Sequence, residues 1–161
     1  MRKEFYFLKD IIIYTDGATS GNGTDKSRGG FGVIVVQNEK VINAYAEYSK
    51  NTTNNREEMK AIIWALENYG KLSPMVFSDS AYSVNTFTNW MFSWQRKGWV
   101  KSDNKIPENL DLVQKYYALN QEGYKLDLRH IKGHAGHLFN ELADKLATGK
   151  ITPEEIIKTY G

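Results

Sequence analysis

The sequence predicts an α/β fold, a mixed sheet of five strands with helices packed against it. Three β-type segments come first, over about 4–15, 30–37 and 40–49, and only "NEK" separates the last two, as in a hairpin. Two more apolar stretches, "PMVFSD" (74–79) and "YKLDLRHI" (124–131), are set apart by segments of helical period. The resulting order, β-β-β-α-β-α-α-β-α, combines hairpins with helical crossovers, so the sheet must contain antiparallel and parallel neighbours.

Each element has its own local reason. "IIIYT" (11–15) is β-branched and apolar, as a buried strand requires, and a glycine-rich turn is expected from Gly17 to Gly30. "GFGVIVVQ" is apolar throughout, and "KVINAYAEYS" alternates. "NNREEMKAIIWALENYG" (54–70) places Met59, Ile62, Ile63 and Leu66 at helical spacing and closes on Gly70. A second helix is expected over 80–90, followed by a basic aromatic segment to Lys105 and a helix from Pro107 to about Glu122. "HLFNELADKLATG" (137–149) is the last long helix, with a short helical tail over 153–159. No linker or repeat interrupts the chain, which predicts a single domain over 1–161 with its core at about 11–147 and a tail at 150–161.

Composition narrows the class. The 161 residues are 41% hydrophobic and 25% charged, enough for one domain with a real core. No apolar run reaches the roughly 20 residues of a membrane span, and "MRKEFYFLKD" lacks a signal-peptide pattern. The absence of cysteine excludes disulfides and thiolate metal sites and fits a reducing, cytoplasmic setting. A net charge of +2 does not announce a nucleic-acid binder, but Arg96, Lys97, Lys101 and Lys105 cluster among Trp90, Trp94 and Trp99.

Carboxylates carry the chemistry. Asp16 follows the first strand with no basic residue nearby, and a buried, unpaired carboxylate is costly. Asp16-Gly17 also reads as a turn dipeptide, so this stretch alone leaves a turn or a cation site open. Asp79 likewise ends a strand, where helix capping by Asp79 or Ser80 is the plainer reading. If the two strands are parallel neighbours, their carboxylates meet at the strand ends. At about 100° per residue, Glu58 lies on the flank of helix 54–70 with Ala61, Ile62 and Ala65, whereas Glu57 points away beside Lys60 and Trp64 and is expected to be solvated. Asp144 follows Asn140 by one turn on the last long helix, where a surface position is the plainer reading, and His134 falls between Gly133 and Gly136. Clustered carboxylates would repel, and oxygen-only ligands favour Mg²⁺ or Mn²⁺ over Zn²⁺.

The set "YTDGA", "TTNNREEM", "FSDS" and "KGHAGHLFNELADKLA", in this order over roughly 11–147, resembles the type 1 ribonuclease H family of bacterial type. The resemblance implies a ribonuclease H-like fold and endonucleolytic hydrolysis of the RNA strand of RNA–DNA hybrids, leaving 3′-hydroxyl and 5′-phosphate ends. It matches Asp16, Glu58, Asp79 and Asp144 to four metal-binding carboxylates and His134 to a mobile-loop histidine that shuttles protons or aids product release. The family scheme uses two ions, Mg²⁺ or Mn²⁺, one to activate the attacking water and one to stabilise the departing 3′ oxygen. Asn22, Asn54 and Asn55 match groove contacts that sense the RNA 2′-hydroxyl. Thr53 and Asn109 resemble a DNA-phosphate pocket, and Tyr82, Trp90 and Ser102 a channel for the DNA strand. The segment from Trp90 to Lys105 resembles a basic protrusion, with Trp94 and Trp99 expected to be partly core. The chain departs from the pattern in its longer loop after Asn22, in Asn51 where many members carry a basic phosphate contact, and in Ala81 where others carry a longer side chain. The expected partner is the hybrid, with no membrane, and the expected state is a monomer.

Overall fold

A computed structural model describes residues 10–21, 28–133 and 137–161. The five strands are β1 (Ile12–Ser20), β2 (Arg28–Gln37), β3 (Lys40–Lys50), β4 (Met75–Ser78) and β5 (Asp127–His130). They form one sheet in the order β3-β2-β1-β4-β5. The hairpin pairs β1–β2 and β2–β3 are antiparallel, and the crossover pairs β1–β4 and β4–β5 are parallel. The predicted mixed sheet is therefore present.

The helices are α1 (Asn54–Tyr69), α2 (Ala81–Asn85), α3 (Met91–Arg96), α4 (Leu110–Gln121), α5 (Leu138–Ala147) and α6 (Pro153–Tyr160). A π-helical turn, Thr86–Trp90, joins α2 to α3. On one face of the sheet, Ile13, Val33 and Val76 pack with Met59, Ile62 and Leu66 of α1, Met91 of α3 and Val113 of α4. On the other, Ile34, Val36 and Val41 pack with Leu142 and Leu146 of α5 and Ile156 of α6. Covering both faces explains why β2 is apolar from Gly29 to Val36 and buried from Gly30 to Gln37.

Several boundaries differ from those the sequence predicts. The first strand does not stop before Asp16, because Asp16 to Ser20 continue to pair with Gly32 to Arg28 of β2. Helix α4 begins at Leu110 rather than at Pro107, since Asn109 adopts a left-handed conformation (φ 57°) that a helix cannot include. Gly70 is right-handed (φ −61°), so it is not a left-handed cap. Its bareness is needed instead because a Cβ there would lie 2.9 Å from Cβ of Tyr124.

The C-terminal tail is part of the second core. Thr152 caps α6 by accepting from the Glu155 amide at 3.1 Å, and Ile156 is fully buried against β3. Ile156→Ala is expected to lower unfolding free energy by about 2–5 kcal/mol, the usual cost of such a cavity, as measured by urea denaturation. A loss below about 0.5 kcal/mol would show that the tail is dispensable to the core.

Candidate metal centre and nucleic-acid interface

The parallel register of β1 and β4 builds the centre. It pairs Thr15 with Ser78 and then stops, so Asp16 and Asp79 are the next residues on two adjacent strands. Buried Thr15 secures the pair by donating from Oγ1 to the Phe77 carbonyl at 2.9 Å. From Asp16 onward β1 has lost β4 as a neighbour, and the first turn of α1 comes against it. The contact is backbone to backbone, for a Cβ on Gly17 would lie 2.5 Å from the Glu57 carbonyl carbon and against the Glu58 amide nitrogen. Only glycine permits this approach, and it brings Glu58 to Asp16.

Carboxylate oxygens of Asp16, Glu58 and Asp79 lie within 4.8 Å of one another. Asp16 is 5% exposed and Glu58 7%. Burial, then the negative charges of Asp79 and Asp144, pushes the Asp16 carboxyl from 3.8 up to about 8, while a hydrogen bond with Glu58 works the other way. Burial, followed by the charges of Asp16 and Asp79, holds Glu58 well above the ordinary carboxylate range. Glu58 Oε2 is buried without a hydrogen-bond partner. These residues fit a divalent cation: an orphaned oxygen, an all-oxygen donor set and repulsion that a cation would relieve.

Asp144 comes from the opposite layer. Asp16 pairs with Gly32, and a Cβ on Gly32 would lie 2.5 Å from Leu146 Cβ and 2.6 Å from the Ala143 carbonyl oxygen. Helix α5 therefore sits directly on the strand beside Asp16. Asp144 is half-buried and acts on Asp16 electrostatically, outside the three-carboxylate set. Sequence reasoning passed over Asn140 as a site residue. It is 5% exposed, one turn before Asp144, and its Oδ1 has no partner. That spacing was the only signal available.

Glu57 is not solvated. It is completely buried, accepting from Thr52 Oγ1 at 2.6 Å and from Lys60 Nζ at 3.0 Å, while Lys60 also donates to Ser49 Oγ at 2.7 Å. The helical phase was right in placing it beside Lys60 and Trp64. That side of α1 is covered too, by the end of β3 and by Tyr45, which stacks on Trp64 at 4.9 Å.

The other expected residues are spread around this centre. Exposed Asn54 accepts from the Thr19 amide at 2.9 Å, and Asn55 is half-buried beside it. Thr53 caps α1, accepting from the Arg56 amide at 3.2 Å. Asn109 accepts from Arg56 Nη1 at 3.3 Å, so one arginine, missed in the sequence reading, joins both. Tyr82 of α2 and Trp90, the last residue of the π-helical turn, meet edge to face at 5.7 Å, and Trp90 is 36% exposed. Trp94 is buried and Trp99 partly so, as expected, while Ser102 is exposed in the loop that follows. Asn22 and His134 lie outside the described residues. No helix among the described residues is long and apolar enough to cross a membrane.

Two outcomes follow for the metal-free protein. Between 3.8 and about 8 the folded state holds a proton on Asp16 that the unfolded chain releases, so stability should fall as pH rises through that window. Urea unfolding in chelator at pH 5 and pH 8 checks this, and Asp16→Asn should flatten the slope. Glu58→Gln should leave stability equal or higher by relieving repulsion, whereas Glu57→Ala, which strands Lys60, should cost about 2–4 kcal/mol. Equal losses from the two variants would contradict these assignments.

The comparisons agree with this geometry. A family model described as RNase H matches residues 8–152. The ribonuclease H of Agrobacterium fabrum is 40% identical over 151 residues, covering 91% of this chain and 97% of the relative. That of Shewanella amazonensis is 39% identical over 158 residues, covering 95% and 97%. Among solved structures, LC9-RNase H1, a type 1 RNase H with the type 2 active-site motif, superposes with a TM-score of 0.74 at 30% identity, covering 86% of this chain and 70% of that one. A foamy viral protease-reverse transcriptase in complex with RNA/DNA hybrid shares the fold, with a TM-score of 0.76 at 19% identity, covering 89% of this chain and 20% of that one. By sequence and by fold, this chain belongs to the ribonuclease H family.

Proposed function

We propose that this ribonuclease H hydrolyses the RNA strand of RNA–DNA hybrids, leaving 3′-hydroxyl and 5′-phosphate ends, with Asp16, Glu58, Asp79 and Asp144 holding two Mg²⁺ ions, or Mn²⁺ in their place. The observation that carries this reading is the group of three carboxylates within 4.8 Å, two of them buried, on a rigid sheet and helix. Bound ions of this kind activate a water and stabilise charge on the departing oxygen. The protein's own part is placement. Asp16 stands within β1 where its pairing with β4 ends, Asp79 directly follows β4, the close approach at Gly17 delivers Glu58, and α5 adds Asp144 from the other layer.

Substrate recognition is assigned around that centre. Asn54 and Asn55 open α1 next to β1, where short amides can both donate to and accept from a 2′-hydroxyl. Asn22 takes the same role on sequence grounds, and His134 the role of proton carrier, a task suited to imidazole chemistry. Thr53 and Asn109 hold a DNA phosphate, and Tyr82, Trp90 and Ser102 line the DNA strand's path. Arg96, Lys97, Lys101 and Lys105 supply charge beside them. The protein acts as a single-domain monomer.

Asp16→Asn is expected to abolish cleavage of a labelled hybrid while leaving hybrid binding in place, because the groove contacts do not depend on the ions. A near-normal rate at saturating Mg²⁺ would overturn the assignment. Parallel assays on hybrid, double-stranded RNA and double-stranded DNA test the substrate class.

A further inference from the structure

Asn109 immediately precedes α4, where an asparagine ordinarily caps the helix with its own side-chain oxygen. Here it makes no such cap, and its backbone is left-handed rather than extended as a capping residue's is. Its Oδ1 is turned to Arg56, which carries only donors, so the atom facing it must be the amide oxygen. The Nδ2 group, a pure donor, is thereby set on the other side of the amide.

Thr53 meets Arg56 through the backbone alone: the Arg56 amide donates to Thr53 Oγ1 and caps α1 without involving the guanidinium. What holds Arg56 is Asp111, in the first turn of α4. Nη1 donates to Oδ1 at 3.0 Å and Nη2 to Oδ2 at 2.6 Å, a parallel fork that fixes the guanidinium plane. The same pairing keeps the Asp111 carboxyl below its ordinary range, so it stays anionic at working pH.

We propose that Asp111 is a positioning residue for phosphate recognition: by gripping the Arg56 guanidinium in a two-bond fork it holds the Asn109 amide so that its donor Nδ2, beside the Thr53 hydroxyl, is offered to a phosphate of the DNA strand. This rests on the reading of Thr53 and Asn109 as phosphate contacts given above. A phosphate offers only acceptors, so an amide turned the wrong way would present its oxygen and repel it. Arg56 serves here as a bracket, its charge already matched by Asp111. The pair is itself 34% and 63% exposed, so it adds little to folding, and its removal can be read in binding.

The test is steady-state hybrid cleavage at several salt concentrations, with thermal unfolding alongside, for Asp111→Ala, Arg56→Lys and Asn109→Ala. Asp111→Ala should raise KM about 3- to 10-fold, the worth of one hydrogen bond, with kcat and melting temperature nearly unchanged. Arg56→Lys keeps the charge but not the fork, and should raise KM by a similar factor. Adding it to Asp111→Ala should cost little more, because both break one device. A fall in KM, or a steeper salt dependence, in Asp111→Ala would mean that freed Arg56 binds phosphate directly and would overturn the proposal. An Arg56→Lys protein indistinguishable from the parent would overturn it as well, as would a loss of kcat that tracks a loss of melting temperature. If Asn109→Ala raises KM and Asp111→Ala does not, the positioning inference alone fails. If Asn109→Ala is also neutral, the phosphate-pocket reading fails with it.

Discussion

The structure depends on one close approach, the backbone of β1 at Gly17 against the first turn of α1. A carboxylate cluster of this density opposes its own formation, since Asp16 and Glu58 are buried, Asp79 and Asp144 raise the cost of ionising Asp16, and Asp16 and Asp79 raise that of Glu58. Side-chain preference would keep them apart. They are held together because strand and helix are fixed elsewhere, by the apolar contacts of Met59, Ile62 and Leu66 with Ile13 and Val33. Burial of such side chains contributes about 1.5–3 kcal/mol each, enough in sum to offset the repulsion. The site is thus strained electrostatically and supported mechanically, a combination that a cation relieves.

A second approach mirrors the first on the opposite face. At Gly32 helix α5 rests on β2 without an intervening side chain, and this sets the depth at which Asp144 stands relative to Asp16. Behind it, Tyr48 donates from its hydroxyl to the Leu146 carbonyl at 2.7 Å, satisfying one of the last carbonyls of α5. Helix α6 then closes that core against the edge strand β3. The four carboxylates proposed as ligands consequently come from β1, from the residue after β4 and from helices on both faces, so they are assembled only when all three layers are.

The proposed nucleic-acid side follows a different principle. Around the centre, polar residues at helix starts are held by hydrogen bonds, local ones at Thr53 and Ser80 and long-range ones joining Asn54 to Thr19 and both Asn109 and Asp111 to Arg56. Helix starts present amides and their capping groups to the outside, a ready surface for phosphate and sugar. Aromatic packing sets the protrusion. Trp94 is anchored in the core and stacks toward Trp90 at 6.2 Å, which leaves Trp90 at the surface beside Tyr82.

The sequence by itself determined the strand and helix order, because hydrophobic period and glycine or proline punctuation are local properties. It also determined the motif-bearing residues, since order and spacing survive without a structure. The helical phase that separated Glu58 from Glu57 was legible for the same reason. What covers the outer side of α1 was not, because the end of β3 and Tyr45 reach it only through tertiary packing, and so the burial of Glu57 with Thr52 and Lys60 was misread. The continuation of β1 through Asp16 was hidden likewise, since pairing with β2 overrides the turn preference of Asp-Gly. Only the tertiary structure decided that Arg56 and Asp111 meet across 55 residues, because no local period connects the start of α1 to the start of α4.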